Sequence, residues 1–455
     1  MEPYDLIVIG AGSAARDAAN KATQEYGARV ALVERTLWGG SCPNVACKPT
    51  KAYLVAAELH RDLRTLGPKL GLPAAPEHAD LARVHAWKET LRKPPERWIQ
   101  ELRDRGYDTY EGVATLVDRR TISVDGRERV GERILIATGS RTAVPAVPGL
   151  AELDWIDHVT ALDLEQLPGS LLVLGGGPVG LEFAQLFARF GSRVTLVQAA
   201  PRLSPRSDAD AAAQLQAAFE EEGIEVLTGT KVVRFEGRAA TLSNGRTIDA
   251  ERVLLASGRV PNTEDLGLER IGVRTHRAGV EVDEQLRTSV DGIWAAGDVT
   301  GLVQFTPVAQ YQARVAVDDM FASNGNVADY SILPTAIFTD PELGAVGLTE
   351  HEAREQGHDV ATATHPVANV TRSQYVAERH GLYKLVYDRE TRRVLGIHVV
   401  SRAASDIVQG LSIALRLGLT VDDLSRAHHV YPSWGEGVKA AAEQARPDAA
   451  LAARK

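Results

Sequence analysis

Runs of apolar residues with almost no polar interruption mark the strands of this chain. Asp5 to Ile9, Arg29 to Val33, Leu171 to Leu174 and Val194 to Val197 each read as one short strand. Alternation would signal a sheet with one wet face. Continuous hydrophobicity signals strands buried on both faces, as in a parallel sheet covered by helices. Helical sequence follows the first and third runs, so the pattern predicts strand, turn, helix, strand, twice over. Arg133 to Ile136, Arg252 to Leu255 and Ile293 to Ala295 add three strands that close on small residues: Ala137-Thr138-Gly139-Ser140, Ala256-Ser257-Gly258-Arg259 and Ala296-Gly297-Asp298. The expected class is α/β.

Both turns are glycine-rich. Gly10-Ala11-Gly12-Ser13-Ala14-Ala15 follows the first strand, and Gly175-Gly176-Gly177-Pro178-Val179-Gly180 recurs 165 positions later. Each second strand ends on a residue able to meet a ribose: Glu34 lies 24 positions after Gly10, and Gln198 lies 23 after Gly175. Such a turn in isolation is only a tight connection. Between strand and helix it is a pyrophosphate cradle at a helix N-terminus, so two Rossmann-like dinucleotide-binding domains are expected. Glu34 suits the hydroxyls of an unphosphorylated ribose, as in FAD. Gln198 carries no charge to repel a 2′-phosphate, and Arg202 and Arg206 follow. That favours NADPH over NADH, unless the arginines are simply solvated. Asp298 either accepts hydrogen bonds from a polyol or caps the next turn.

Composition narrows the classes. A chain of 455 residues is long enough for about three domains. The net charge of −9 and the lack of a basic stripe give no reason to expect nucleic acid. The first strand opens at Tyr4, leaving no room for a signal peptide, and no apolar run reaches the ~18 residues of a membrane span. A soluble, cytoplasmic protein is expected, with no membrane partner.

There are two cysteines, Cys42 and Cys47, in the segment Gly39-Gly40-Ser41-Cys42-Pro43-Asn44-Val45-Ala46-Cys47-Lys48-Pro49-Thr50-Lys51. A metal site would need more ligands than two, so no metal site is expected. On a regular helix residues five apart are separated by roughly 7.5 Å along the axis, too far for a relaxed disulfide. Pro43 and Pro49 point instead to an irregular turn entering a helix, where a strained and therefore reducible pair could form. A redox-active pair is the expectation; two inert thiols are the alternative.

Taken together these motifs resemble the class I pyridine nucleotide-disulfide oxidoreductases, which include dihydrolipoamide dehydrogenase, glutathione reductase and mercuric reductase. Cys-x4-Cys-x-Pro-x-Lys is the most specific element, and the resemblance spans essentially the whole chain. It implies an FAD-binding domain over 1–149 completed by 271–330, an NAD(P)H-binding domain over 150–270, and a C-terminal α+β dimerisation domain over 331–455, hence a homodimer. Pro334 to Glu342 and Val346 to Thr349 resemble the opening of that last domain. By the same resemblance Cys47 lies against the flavin as a thiolate, its pKa lowered near a helix N-terminus, and Cys42 faces the acceptor. Lys51 and Glu182 match an ion pair beside the flavin. Gly40, Ser41, Ala114, Thr138, Gly139, Asp298 and Thr306 match FAD-adjacent positions, and Gly258 a nicotinamide-side position.

Departures bear on the acceptor. Where relatives carry His-Pro-Thr-x-x-Glu, this chain has Tyr431-Pro432-Ser433-Trp434-Gly435-Glu436. A free phenol titrates near ~10, a poor proton shuttle at neutral pH. His428 and His429 either substitute for the missing histidine or are structural. Tyr431 followed by Glu436-Gly437-Val438-Lys439 resembles mercuric reductase, yet the chain ends in Ala450-Leu451-Ala452-Ala453-Arg454-Lys455 without a vicinal cysteine pair. The N-terminal metal-binding domain of mercuric reductases is also not expected. The expected activity is electron transfer from NAD(P)H through FAD and the cysteines to Hg(II), another soft metal or a small disulfide. Alternatives are a diaphorase or quinone reductase and a low-turnover redox-sensing flavoprotein.

Overall fold

The computed structural model describes residues 2–445, so the cysteine-free end Ala450 to Lys455 lies outside the described residues. Contacts divide the chain into two compact units. One comprises Met1–Ala52, Ala86–Ala143 and Gly258–Asp329; the other comprises Tyr53–His85, Val144–Ser257 and Tyr330–Lys455.

In the first unit five parallel strands stand in the order Ile293–Ala295, Ile134–Ile136, Leu6–Ile9, Val30–Glu34, Asp108–Glu111. Successive side chains point to opposite faces. Leu6, Val8, Val30 and Leu32 join a core with helices Ser13–Tyr26 and Thr306–Ala322, while Ile7, Ile9, Ala31 and Val33 fill the other face. Both faces are dry, which is why the strands read as continuous apolar runs. Helix Ser13–Tyr26 buries Ala14, Ala15, Ala18, Ala19 and Ala22, small residues that let it lie close to helix Thr306–Ala322.

The second unit holds a four-stranded parallel sheet, Glu225–Leu227, Arg193–Val197, Ser170–Leu174, Arg252–Leu255, with helix Pro178–Phe190 buried against it. It also holds an antiparallel sheet in the order Thr335–Ile337, Glu342–Gly347, Val394–Ser401, Leu382–Asp388, Val360–Pro366. Helices Ala404–Arg416 and Glu436–Gln444 pack on this sheet. Lys384, 2% exposed, reaches Asp208, Asp210 and Glu350 at 3.0, 2.7 and 2.8 Å and joins the two sheets' surroundings. The expected α/β architecture with a C-terminal α+β portion is the one observed. Among the described residues no helix is long and apolar enough to cross a membrane.

Candidate active site

Gly12 and Gly177 cap the helices Ser13–Tyr26 and Pro178–Phe190, and neither helix has a side-chain cap or an acid in its first turn. Their free N–H groups and positive dipole ends are therefore left for an outside anion, as a diphosphate requires. A Cβ on Gly10 would sit 2.3 Å from the Ala137 carbonyl oxygen, and one on Gly180 1.8 Å from that of Gly175, so these turns close only on glycine. Ser13, Ala14 and Ala15 form the first turn of their helix, and the two alanines are buried.

Glu34 ends its strand with a fixed carboxylate. Its Oε1 accepts the N–H groups of Thr36 and Leu37 at 3.0 and 3.1 Å, and its Oε2 that of Ala11 at 3.1 Å. Each oxygen keeps acceptor capacity for ribose hydroxyls. These residues fit FAD. In the second copy Gln198 Oε1 accepts the Gly176 N–H at 3.3 Å. Arg202 differs from its expected role: it donates to the carbonyls of Pro205 and Ser207 at 2.8 and 3.2 Å and braces its own loop. Arg206 is exposed.

The Asp298 carboxylate accepts the Ser140 hydroxyl at 2.5 Å, and Arg259 Nε donates to Ser140 Oγ at 2.7 Å while lying 3.5 Å from that carboxylate. Asp298 is thus anchored rather than merely capping a turn. Thr138 and Gly139 are tied to Asn262: Thr138 Oγ1 donates to its carbonyl at 2.7 Å, and its N–H reaches the Gly139 carbonyl at 2.9 Å. Ala114 is buried at the start of strand Ala114–Leu116, and the Gly258 carbonyl accepts the Ala143 N–H at 3.0 Å.

A short helical turn, Ser41–Asn44, carries Cys42, and helix Cys47–Thr65 begins on Cys47. Both residues are free thiols, close enough to hydrogen-bond each other, and Thr306 Oγ1 lies 3.7 Å from Cys47 Sγ. The expected depression of the Cys47 pKa is corrected here. The two sulfurs share one hydrogen bond, and with it Cys47 is pushed up and Cys42 is pulled down to about 6. That hydrogen bond is the main cause; burial opposes it, and Thr306, Arg16 and Lys51 add to it. The pair holds one negative charge because a second thiolate beside the first is strongly disfavoured.

Residues not singled out from the sequence hold this turn. Asn44 donates to the carbonyls of Trp38 and Gly40 at 2.9 and 2.8 Å, and Trp98 Nε1 donates to Asn44 Oδ1 at 3.3 Å. The Arg16 guanidinium lies 4.8 Å from the centre of the Trp98 ring. Ser41 is exposed, and Lys51 is half-buried in the second turn of the cysteine helix. In the other unit Glu182 is buried and accepts the Phe338 N–H at 3.1 Å.

Tyr431 is 72% exposed. Glu436 and Tyr431 are linked through a third residue. Glu436 accepts the Thr371 N–H at 2.8 Å, and Thr371 Oγ1 donates to Tyr431 Oη at 3.3 Å. His428 is exposed; His429 is half-buried, with Nε2 lacking a hydrogen-bond partner.

Two nucleotide cradles and a dithiol point to one family, and sequence comparison decides it: residues 4–313 match "Pyridine nucleotide-disulphide oxidoreductase" and 333–442 match its "dimerisation domain". The chain belongs to the pyridine nucleotide-disulfide oxidoreductases. This family uses FAD and NAD(P)H, and residues 333–442 match its dimerisation domain. The oxidoreductase is similar to a mercuric reductase of Streptomyces lividans, 39% identical over 98% of this chain and 97% of that one. It is also similar to a dihydrolipoyl dehydrogenase of Thermus scotoductus, 36% identical over 97% of each chain. Among solved structures, the Cu(II) complex of the HOCl-induced flavoprotein disulfide reductase RclA from Escherichia coli superposes with a TM-score of 0.87 at 30% identity, over 97% of this chain and 99% of that one.

Proposed function

We propose that this oxidoreductase works as a homodimer that passes two electrons from NAD(P)H through Cys42 and Cys47 to a thiophilic metal ion, Hg(II) foremost, or to a small disulfide. The domain reading goes with it: FAD on 1–149 and 271–330, nicotinamide nucleotide on 150–270, subunit pairing through 331–455. The observation that carries the metal reading is Tyr431, exposed and held by Thr371, where thiol-releasing relatives have a histidine acid. A metal acceptor needs two sulfur ligands and no proton donated to a leaving thiol. Similarity to mercuric reductases and to a protein solved with Cu(II) supports the same choice.

Bound FAD supplies the two-electron link between nicotinamide and sulfur. The protein's own residues do the rest. Cys42, a thiolate at neutral pH, forms the first metal–sulfur bond. Cys47 releases its proton to solvent and becomes the second ligand. The overall change balances as NAD(P)H + Hg(II) → NAD(P)+ + H+ + Hg(0). Lys51 keeps a positive charge near the sulfurs, and Glu182 is proposed to steady it. The uncharged Gln198 and the exposed Arg206 favour NADPH.

The test is anaerobic titration of the yellow protein with NADPH and with NADH, followed by Hg(II) on a thiol carrier. A long-wavelength thiolate absorbance after two electrons, discharged by Hg(II), is expected. Bleaching without that absorbance, with reoxidation only by quinone or oxygen, would replace the proposal with a diaphorase.

A further inference from the structure

We propose that Thr371 is a positioning residue for the acceptor: it is the link through which the fixed Glu436 orients the exposed Tyr431. This rests on the reading of Tyr431 as the residue that meets the metal ion.

Within its own chain Tyr431 has little packing to hold it. A phenol in that setting would sample several rotamers, and an acceptor would have to select one. Thr371 supplies a fixed point. Val370 before it is 1% exposed and Ser373 after it is 1% exposed, with Ser373 Oγ donating to the Val370 carbonyl at 2.7 Å. The Thr371 N–H is held by Glu436, the first residue of helix Glu436–Gln444, which packs on strand Val360–Pro366. The other Glu436 oxygen is buried without a hydrogen-bond partner, so this carboxylate faces inward toward Thr371 and away from water. The far end of the tyrosine loop is fixed too: Tyr383, fully buried, donates to the Trp434 carbonyl at 2.6 Å. Tyr431 therefore sits between two anchors, and the Thr371 hydroxyl at 3.3 Å is the contact that reaches its phenol oxygen. The division of labour follows from the atoms. The backbone N–H of Thr371 binds the acid, and only its hydroxyl touches the tyrosine.

That separation makes the idea testable with conservative changes. Thr371→Val keeps the backbone link to Glu436 and removes the hydroxyl; Thr371→Ser restores it. Both are assayed with Tyr431→Phe and the Thr371→Val/Tyr431→Phe double variant, using Hg(II) on a thiol carrier as acceptor. The NADPH-driven thiolate absorbance serves as a readout of the steps before the acceptor. Thr371→Val is expected to raise KM for Hg(II) by about fivefold to tenfold, the worth of one hydrogen bond, with kcat and thiolate absorbance little changed. Thr371→Ser should recover most of that loss, and Thr371→Val should add nothing once Tyr431 is phenylalanine. An equal loss in the Tyr431→Phe background would show a general structural role and overturn the proposal. So would a silent Thr371→Val beside an impaired Tyr431→Phe. A silent Tyr431→Phe would remove the metal-handling role of the tyrosine, and the positioning role with it.

Discussion

Gly40 crosses Gly12 with hydrogen alone between them: a Cβ on Gly40 would stand 2.5 Å from Gly12 Cα, and the Gly40 φ is +77°. The cysteine turn is therefore pressed onto the pyrophosphate turn, and the same two residues set sulfur and nucleotide in register. Gly40→Ala adds a left-handed penalty to a backbone clash, a cost of about 2–4 kcal/mol. We expect a lower melting temperature together with sub-stoichiometric flavin after purification. A variant with full flavin and an unchanged melting temperature would contradict this reading of the contact.

The shared proton of the dithiol sets a pH dependence. Cys42 is a thiolate above about 6, so its alkylation in the reduced protein should rise through that pH and level off near neutrality. Cys47→Ala removes the donor, and the midpoint should move up toward the ordinary thiol value of ~8.5. Rates of iodoacetamide labelling against pH, followed by mass spectrometry, measure both. A midpoint unmoved by Cys47→Ala would assign the depression to Arg16 and Lys51 instead. Cys42→Ala should abolish acceptor reduction while NADPH still reduces the protein.

Glu378 predicts a stability effect of its own. Burial, then the Asp340 carboxylate, push its pKa from 4.5 to about 7 against the pull of Arg61, Arg402 and Arg189. Between those values the folded protein binds more protons than the unfolded one, so this group's contribution falls as pH rises and is lost above about 7. Glu378→Gln should flatten that slope. Its gain over wild type is at most about 3 kcal/mol at pH 8 and near zero at pH 4. Denaturant unfolding across that range is the measurement, and parallel curves for the two proteins would refute it.

Nucleotide preference separates the two arginines. Arg206→Ala should raise KM for NADPH about threefold to tenfold and leave NADH unaffected, the loss of one exposed phosphate contact. Arg202→Ala should lower the melting temperature, because two loop carbonyls lose their donor. If Arg202→Ala alone shifts the NADPH KM, the roles are reversed.

What could be read from the sequence is what short-range chemistry dictates. Val8 and Leu32 announce a sheet dry on both faces because burial leaves no polar position to interrupt the run. Glu34 announces itself by its distance from Gly10. The rest depends on contacts between distant positions. Trp98 reaches Asn44 from 54 residues away. Thr371 lies 60 residues before Tyr431 and meets it only once the antiparallel sheet and helix Glu436–Gln444 have formed. Arg202 looked like a free cation because a sequence does not show that its own loop turns two carbonyls toward it. Cys47 looked like the thiolate because its helix position was visible and its hydrogen bond with Cys42 was not.

Two cysteines in 455 residues, five positions apart, also make the protein a self-calibrating electrode. Thiol titration in denaturant counts this centre with no background from other sulfur. Two equivalents per chain mean the reduced state and none the oxidised state, so any intermediate value is directly the fraction of molecules in each. A series of such titrations against a dithiol buffer gives the midpoint potential of the pair without recourse to colour.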